Sequence, residues 1–558
     1  MPNVDIAFDT YYPYAEMTSR LQALTEAYPE LATITSVAKT LQGRDVWLIE
    51  INNPKTGPAL EKPGYYIDAQ IHAEEHATSA TALYAVWYLL SKYGSDEEVT
   101  RLVDSQAFYI LPRINPDGAE LSLVPPYYNW CGNGRFMPGA DRIEGLIPED
   151  IDGDGYLVWM RVPDSKGEWK KSTENPDIMI QREPGEEGGS YFRIYPEGTI
   201  RNFDGVNVKV EKPFDGNMNR NFPTNWSPQE YGAGTHPLSE PEAAAMAKLI
   251  LDRPNICGMC AYHTHGGLIL RPSMTRPDSA MGARDINLYK EIGKVGTALT
   301  GYPTVSIYED FTPDKSKVRR GGLMDWTYEE MGIISFGTEL WDLERTAGVD
   351  KLGYLNLYPR TAEIQHKVYK YVVENVGEKG WRPWKSFEHP QLGAIEIGGM
   401  VNIWAYRNPP PHLLEEICHS NVLFNLRHAA AAPQIRIDDV TTESLGAGLY
   451  KVRAVISNHG YLPTNLSDVA IENKVAKPVL AILSVEGGEL LMNPQTVELG
   501  NLAGRNERLY PWSPWGQQWT ATAKPIEWLV RMDKPGSVTV TGVSEKGGTQ
   551  RLSIEMGA

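Results

Sequence analysis

The chain has 558 residues, 42% of them hydrophobic and 22% charged, and this composition predicts a globular protein of several domains with large cores. Its formal charge of −18 at pH 7 argues against nucleic acid and against an anionic membrane surface as partners. Four cysteines are too few for a disulfide framework, and no apolar run approaches the length of a membrane span.

The N-terminal segment MPNVDIAFDTYYPYAEM has neither the basic nor the apolar region of a secretory signal, so a cytoplasmic location is expected. The overlapping segment YAEMTSRLQALTEAYPELATITSVAKT predicts a helix that ends at Pro29 and a strand after it. RDVWLIEIN, GYYIDAQIH and AFYILPRINPDG predict three further strands, with a helix ending at Gly94 before the last of them. Strands that alternate with helices predict an α/β fold, with a mixed sheet flanked by helices.

The alternation is interrupted over residues of about 121–215, which are rich in Gly, Pro, Asp and Glu and predict an insertion at the rim of the sheet. Helix and strand patterns then resume and continue to PHLLEEICHSNVLFNLRHAAAA. After Pro433 the pattern changes to short alternating strands separated by turn residues, which is typical of a β-sandwich. We therefore expect an α/β domain over residues 1–432 and an all-β sandwich domain over residues 433–558.

An acidic stretch inside the predicted insertion, PEDIDGDGYL, resembles the start of a calcium-binding loop. Asp150, Asp152 and Asp154 are spaced as in an EF-hand, and Gly155 follows them. The twelfth position holds Arg161 where an EF-hand has a bidentate Glu, so an EF-hand is excluded. A looser Ca²⁺ site and a Gly-rich acidic turn without an ion remain the two interpretations.

The predicted third strand ends in His-Ala-Glu-Glu-His and runs directly into a helix. His72 and Glu75 are costly to bury without partners, and their spacing allows both side chains to face one centre. A catalytic zinc site takes three such ligands and leaves a fourth position open. A third ligand is available where another apolar strand, AYHTHGGLILRP, ends with His263 and His265. His-x-x-Glu arises often by chance, so a surface or capping histidine is the alternative at this point.

Further motifs connect these residues to a known family. With RINPDG, GNMNRNFPTNW, SFGTELWD and GGLMDWTYEEMG, the sequence resembles the zinc metallocarboxypeptidases of the carboxypeptidase A type over residues 11–373. The resemblance implies one zinc ion per chain, bound by His72, Glu75 and His263. It favours His263 over His265 because the family's ligand precedes a strand-end proline by the interval that separates His263 from Pro272.

The same resemblance implies roles for residues around the metal. Asn219 and Arg220 match the pair that binds the free terminal carboxylate of the substrate, a task that suits the planar fork of arginine. Glu339 matches the general base. Tyr308 matches a mobile tyrosine that closes over the substrate, although it reads equally well as an ordinary residue at a strand end.

Two further positions matched to the family concern specificity and the oxyanion. Met324 corresponds to the floor of the pocket for the terminal side chain, so neutral or apolar terminal residues are expected to be preferred over Lys and Arg. The arginine that stabilises the oxyanion follows Asn-Pro-Asp-Gly, and Arg135 is favoured by chain order, with Arg161 further along.

The expected function is that of a zinc metallopeptidase, a carboxypeptidase that acts on peptides or proteins with a free C-terminus. One alternative is a peptidase of the same fold that acts on peptidoglycan stem peptides or γ-glutamyl bonds. Another is a catalytically silent binding protein that has kept the fold.

Overall fold

The structure is a computed structural model that describes residues 4–127, 131–134, 144–210, 216–349, 361–507 and 521–557. Its helices are α1 Tyr14–Ala27, α2 His76–Lys92, α3 Glu97–Ser105, α4 Pro116–Leu123, α5 Pro241–Leu251, α6 Ala283–Thr300, α7 Leu323–Asp325, α8 Leu343–Thr346, α9 Ala362–Asn375, α10 Pro411–Ala430 and α11 Asp468–Glu472. Its strands are β1 Ala32–Lys39, β2 Asp45–Ile51, β3 Gly64–Ala69, β4 Ala107–Leu111, β5 Gly145–Pro148, β6 Trp159–Pro163, β7 Trp169–Lys171, β8 Met179–Gln181, β9 Phe192–Pro196, β10 Gly198–Arg201, β11 Ile256–Thr264, β12 Leu268–Arg271, β13 Thr304–Ser306, β14 Ile334–Leu340, β15 Trp381–His389, β16 Gly393–Met400, β17 Ile435–Gly446, β18 Leu449–Asn458, β19 Val479–Met492, β20 Thr496–Gly500, β21 Ala523–Ser544 and β22 Gly548–Met556.

The N-terminal part is built on an eight-stranded mixed sheet in the order β1-β2-β4-β3-β11-β14-β12-β13. Neighbouring strands among β4, β3, β11 and β14 are parallel, and so are β12 and β13. The pairs β1–β2, β2–β4 and β12–β14 are antiparallel. Every residue of β3 and β11 is buried, as expected of central strands covered on both faces. The α/β class predicted from the sequence is therefore confirmed.

The parallel strands bring their carboxyl ends to one edge of the sheet. His72 follows the end of β3, His263 is the second-last residue of β11, and Glu339 is the second-last residue of β14. In the parallel register of β11 and β14, His263 is paired directly with Glu339. Ligand sites of open α/β sheets lie at this edge, so the fold collects the predicted site residues in one place.

The inserted segment does not form a separate unit. Strands β6 to β9 join the much later hairpin β15–β16 in a six-stranded antiparallel sheet of order β15-β16-β6-β9-β7-β8. Strands β5 and β10 form a separate two-stranded ladder. The chain on either side of this second sheet returns to the main α/β domain, with α10 packed on α2.

The C-terminal part, from β17 to β22, is an antiparallel all-β structure with its own apolar core, which confirms its predicted class. It is fastened to the α/β domain by polar contacts. The ammonium group of Lys546 donates to the carbonyls of Pro254 and Ile256, at 2.6 and 3.0 Å. None of the helices in the described residues is both long and apolar enough to cross a bilayer.

Candidate active site

The turn over residues 70–76 carries two of the predicted metal ligands and is held by side-chain amides. Gln70 has a positive φ of 55°, and its amide nitrogen donates to the carbonyl of Ala73 at 2.9 Å. The amide of Asn408, from the far end of the domain, donates to the carbonyl of Glu74 at 2.8 Å. The turn therefore has a defined conformation before any ion is considered.

The three predicted ligands face one another across a small space. Nδ1 of His72 lies 3.1 Å from Oε1 of Glu75, and Nδ1 of His263 lies 3.2 Å from Oε2 of Glu75. The two Nδ1 atoms are 3.3 Å apart. Zinc bonds of about 2.0–2.1 Å at tetrahedral angles place ligand atoms about 3.3–3.4 Å apart. The donor set and its spacing therefore fit a zinc ion with three protein ligands.

Electrostatics agree with this fit. Burial raises the pKa of Glu75, but His72 and His263 outweigh burial and hold that pKa well below its ordinary value. Burial lowers the pKa of His263, but Glu75 outweighs it and raises that pKa to about 9. The ionised Glu75 therefore favours a positive charge between the three side chains, and a metal ion bound there would provide that charge.

A residue outside the cluster orients one ligand. Nε2 of His72 lies 3.2 Å from Oδ1 of Asn217. An N–H donated to this oxygen leaves the lone pair of Nδ1 free to bind a metal, as is usual for zinc-binding histidines. Asn217 is not among the residues predicted from the sequence, although it lies two residues before Asn219 in GNMNRNFP.

The predicted substrate residues share a cavity with the metal cluster. Its walls include His72, Asn219, Arg220, His263, Met324 and Glu339. Burial raises the pKa of Glu339 to about 7, and the nearby carboxylate of Glu75 adds to the effect although His263 opposes it. A carboxylate with a pKa near neutrality suits general base catalysis.

Arg220 is largely buried, with 12% of its side chain exposed. Burial lowers its pKa to about 10, and the like charge of Arg319 acts in the same direction. Its Nη1 donates to the carbonyl of Asn219 at 2.6 Å, and its Nε lies 3.7 Å from the carboxylate of Glu230. The rest of the guanidinium faces the cavity, where a substrate carboxylate can pair with it.

With this geometry, the family can be decided by comparison. Residues 17–371 match the family model described as zinc carboxypeptidase, which covers more than half of the chain. The chain belongs to the zinc carboxypeptidase family. Residues 434–555 match a domain of unknown function, DUF8731.

Individual relatives of this carboxypeptidase family member match only in part. Carboxypeptidase M of Mus musculus is 30% identical over 130 residues, 23% of this chain and 29% of that protein. The inactive metallocarboxypeptidase ECM14 of Saccharomyces cerevisiae is 31% identical over 159 residues, 28% of this chain and 35% of that protein. The chain thus covers about a third of the length of these two relatives. The crystal structure of thrombin activatable fibrinolysis inhibitor aligns with a TM-score of 0.46 at 16% identity, over 76% of this chain and 74% of that one.

Two candidate residues from the sequence lie outside the cavity, and the structure does not describe a third. Tyr308 lies in the turn after β13, where its backbone N–H donates to the carbonyl of Ser273 at 3.0 Å. It is not among the residues that line the cavity. The ring of His265 packs on Tyr406 with centroids 3.9 Å apart, away from the ligand cluster. Arg135 lies outside the described residues.

The acidic turn over residues 150–155 contains a different group of carboxylates from the three that its sequence suggested. Asp154 pairs with Arg382 at 2.8 Å, and Glu197 takes its place beside Asp150 and Asp152. Glu197 accepts hydrogen bonds from the backbone N–H groups of Ile151 and Val158, at 2.8 and 3.2 Å. These carboxylates already accept hydrogen bonds from such donors, so of the two interpretations the structure favours the acidic turn and does not support a Ca²⁺ ion at Asp150, Asp152 and Asp154.

Another arginine reaches the ligand turn from a distant part of the chain. Nη1 of Arg407 donates to the carbonyl of Thr264 at 3.2 Å, and Nη2 lies 3.6 Å from the carboxylate of Glu74. Burial lowers the pKa of Arg407, but the carboxylates of Glu74 and Glu75 outweigh burial and raise it. No motif in IWAYRNPPP marks this residue, since only the return of the chain after the second sheet places it here.

Proposed function

We propose that the protein is a zinc-dependent carboxypeptidase that hydrolyses the C-terminal peptide bond of peptides or proteins. The observation that carries the proposal is the convergence in one cavity of three kinds of group. These are the ligand cluster with donor spacings of 3.1–3.3 Å, the carboxylate of Glu339 and the guanidinium of Arg220.

A zinc ion bound by His72, Glu75 and His263 would lower the pKa of a water molecule and polarise the scissile carbonyl. Glu339 then accepts a proton from the attacking water and passes it to the nitrogen of the leaving amine. Its place beside His263 in the parallel register keeps the carboxylate next to the ligand cluster throughout.

Arg220 and Asn219 select the end of a chain. A terminal carboxylate pairs with the guanidinium through charge-assisted hydrogen bonds. An internal peptide bond or an amidated end offers no negative charge, so the largely buried guanidinium keeps only the 3.7 Å contact with Glu230 and gains no anion from the substrate. An arginine also stabilises the oxyanion in this proposal, and Arg135 remains the choice made by chain order.

The alternatives share this site and differ in what it does. A peptidase for stem peptides or γ-glutamyl bonds would use the same groups on a different substrate. A silent binding protein is disfavoured because Glu339 and all three ligands are present, although a relative described as inactive makes measurement of turnover necessary.

The test is a cycle of four rate measurements. One peptide is prepared with a free and with an amidated C-terminus, and kcat/KM is measured for both with the wild-type protein and with Arg220→Ala. The wild type should strongly prefer the free acid, and Arg220→Ala should lose most of that preference through a higher KM. Arg253→Ala is the matched control, because Arg253 pairs with Glu50 outside the cavity.

One result would overturn the assignment. If the wild type cleaves the amidated peptide internally as fast as it trims the free acid, the protein is an endopeptidase or amidase. Preferential turnover of a stem peptide over ordinary peptides would support the alternative substrate class. Bound zinc without turnover of any peptide would support the silent binding protein.

A further inference from the structure

We propose that Arg319 makes this site selective for a C-terminal residue with an acidic side chain, glutamate above all. The inference rests on the proposed function and names its substrate class. Arg319 lies in SKVRRGGLMDW and lines the same cavity as Arg220 and Met324, although nothing in its sequence context marked it.

The segment that carries Arg319 is fixed against the carboxylate-binding turn. Gly321 has a φ of 69°, and a Cβ atom there would lie 2.3 Å from the carbonyl oxygen of Arg220, so only glycine allows this approach. The backbone N–H of Phe222 donates to the carbonyl of Gly321 at 3.0 Å, and that of Leu323 donates to Oδ1 of Asn219 at 3.1 Å. Arg319 therefore precedes by two residues a glycine, Gly321, whose backbone lies against that of Arg220.

Arg319 forms no ion pair in the part of the chain that the structure describes, although the carboxylate of Glu339 is near enough to interact with its charge. Within those residues, no carboxylate lies at ion-pair distance from its guanidinium, whereas Arg220 has Glu230 at 3.7 Å. Its guanidinium carbon also lies 5.8 Å from the centroid of the Phe311 ring. An exposed cation at the cavity wall is thus free to bind an anion that enters the cavity.

Two arginines on one small cavity favour a ligand with two negative charges. Arg319 is close enough to Arg220 for their like charges to interact unfavourably, and an anion between them relieves this repulsion. The α-carboxylate of a terminal glutamate is bound by Arg220, and the side-chain carboxylate then reaches the second guanidinium. A dicarboxylate satisfies both cations at once.

The other walls suit the carbon chain of such a residue and reject basic ones. Leu270, Met274, Ile307 and Met324 are buried and offer apolar contact to methylene groups. A terminal Lys or Arg would bring a cation towards Arg319, which is an unfavourable contact built into the pocket. We therefore expect a terminal Glu to be preferred over neutral residues, and neutral residues to be preferred over Lys and Arg.

The alternative role for Arg319 is to bind the α-carboxylate together with Arg220. In that case the residue would help every substrate equally, whatever its terminal side chain. Glutamate and glutamine separate the two roles, because they have nearly the same shape and differ in charge.

The test uses the zinc-loaded protein and peptides that differ only in a terminal Glu, Gln, Leu or Lys. The wild type should release Glu at least about tenfold faster than Gln in kcat/KM, a value typical of one charge-assisted hydrogen bond. Arg319→Gln should bring the Glu to Gln ratio near unity, and Arg319→Glu should shift the preference towards Lys. Arg320→Gln is the matched control, since this neighbouring exposed arginine does not line the cavity.

A binding measurement makes the test independent of turnover. In calorimetric titrations, free L-glutamate should bind the wild type more tightly than L-glutamine, and Arg319→Gln should remove the difference. Equal handling of Glu and Gln by the wild type overturns the inference, as does an equal loss for both substrates in Arg319→Gln. If no peptide is trimmed at all, the proposed function fails, and the titrations alone decide the role of Arg319.

Discussion

Among the residues that the structure describes, two groups of side chains come close enough to hold a metal ion, and they differ in almost every other respect. His72, Glu75 and His263 form one group at the edge of the main sheet. Asp150, Asp152 and Glu197 form the other in the inserted region. In each group the candidate ligand atoms lie within 4.8 Å of one another. Proximity alone therefore does not distinguish a metal centre from an acidic turn.

The two groups differ in whether their candidate ligand atoms already accept hydrogen bonds from the backbone. Nδ1 of His72 and of His263 face each other and the carboxylate of Glu75, with no backbone donor between them. In the acidic turn, by contrast, Asp150 accepts from the backbone N–H groups of Gly153 and Gly155, at 2.7 and 2.9 Å. A ligand atom satisfied by the protein has less to gain from an ion.

The charges differ in the same way. Glu75 stays ionised beside two histidines, so the first group attracts a cation. In the second group, burial raises the pKa of Glu197 to about 7, and the carboxylates of Asp152 and Asp150 add to the effect. Burial and the neighbouring carboxylates therefore favour the protonated, neutral form of Glu197.

The largest expected effect is loss of the metal. His263→Ala should abolish stoichiometric zinc binding and turnover, because two ligands cannot complete the site. His265→Ala is the control and should keep its zinc, since His265 packs on Tyr406 instead. Metal content measured by atomic spectroscopy decides the matter, and zinc lost from the second variant but retained in the first would show that the ligands are assigned wrongly.

Next in size is the effect of removing the proposed base. Glu339→Gln should retain zinc and bind substrate, while kcat falls by about 10²–10⁴-fold, the usual contribution of a general base. The amide has nearly the shape of the carboxylate but cannot accept the proton. A variant with unchanged kcat would remove Glu339 from the mechanism, and loss of zinc would show that it supports the metal instead.

A smaller effect is expected from the residue that orients His72. Asn217→Leu removes the oxygen that lies 3.2 Å from Nε2 of His72 and should weaken zinc binding by about 10–100-fold. Competition with a chelator measures the affinity. Asn375→Leu, at the exposed end of α9, serves as the control. Equal affinity in Asn217→Leu and the wild type would contradict the orienting role.

The smallest effect belongs to the acidic turn and appears as a dependence of stability on pH. The pKa of Glu197 rises from 4.5 to about 7 on folding, so the folded state holds a proton that the unfolded state releases in this window. This contribution to stability is fully present below pH 4.5 and is lost as the pH rises through about 7.

Glu197→Gln should therefore flatten the pH dependence of Tm between these two values, relative to the wild type. Thermal melts over this pH range, with and without added Ca²⁺, provide the measurement. Ca²⁺ should leave the Tm of both proteins unchanged. A rise in Tm for the wild type alone would show that the turn is a cation site after all.

The sequence by itself determined the fold classes, and it predicted most of the residues that meet in the candidate site. Alternating strands and helices, followed by short strands after Pro433, depend on local pattern and turn chemistry, which are visible without coordinates. The same holds for His72 and Glu75 at a strand-to-helix junction, because three residues of separation keep them together in any such turn. The roles of Asn219, Arg220 and Glu339 came from motifs that resemble the family, and the fold collected these residues in one cavity.

Only the tertiary structure decided which distant residues complete or leave these groups. Asn217 and Arg319 are close in sequence to motifs already singled out, but only the folded chain shows that they reach the site. Arg407 reaches it through a return of the chain that no local motif encodes. Asp154 lies outside the acidic group because β16 pairs with β6 of the insertion and β15 pairs with β16, which brings Arg382 on β15 beside Asp154. Such pairings depend on contacts between residues far apart in the chain, and local propensity carries no information about them.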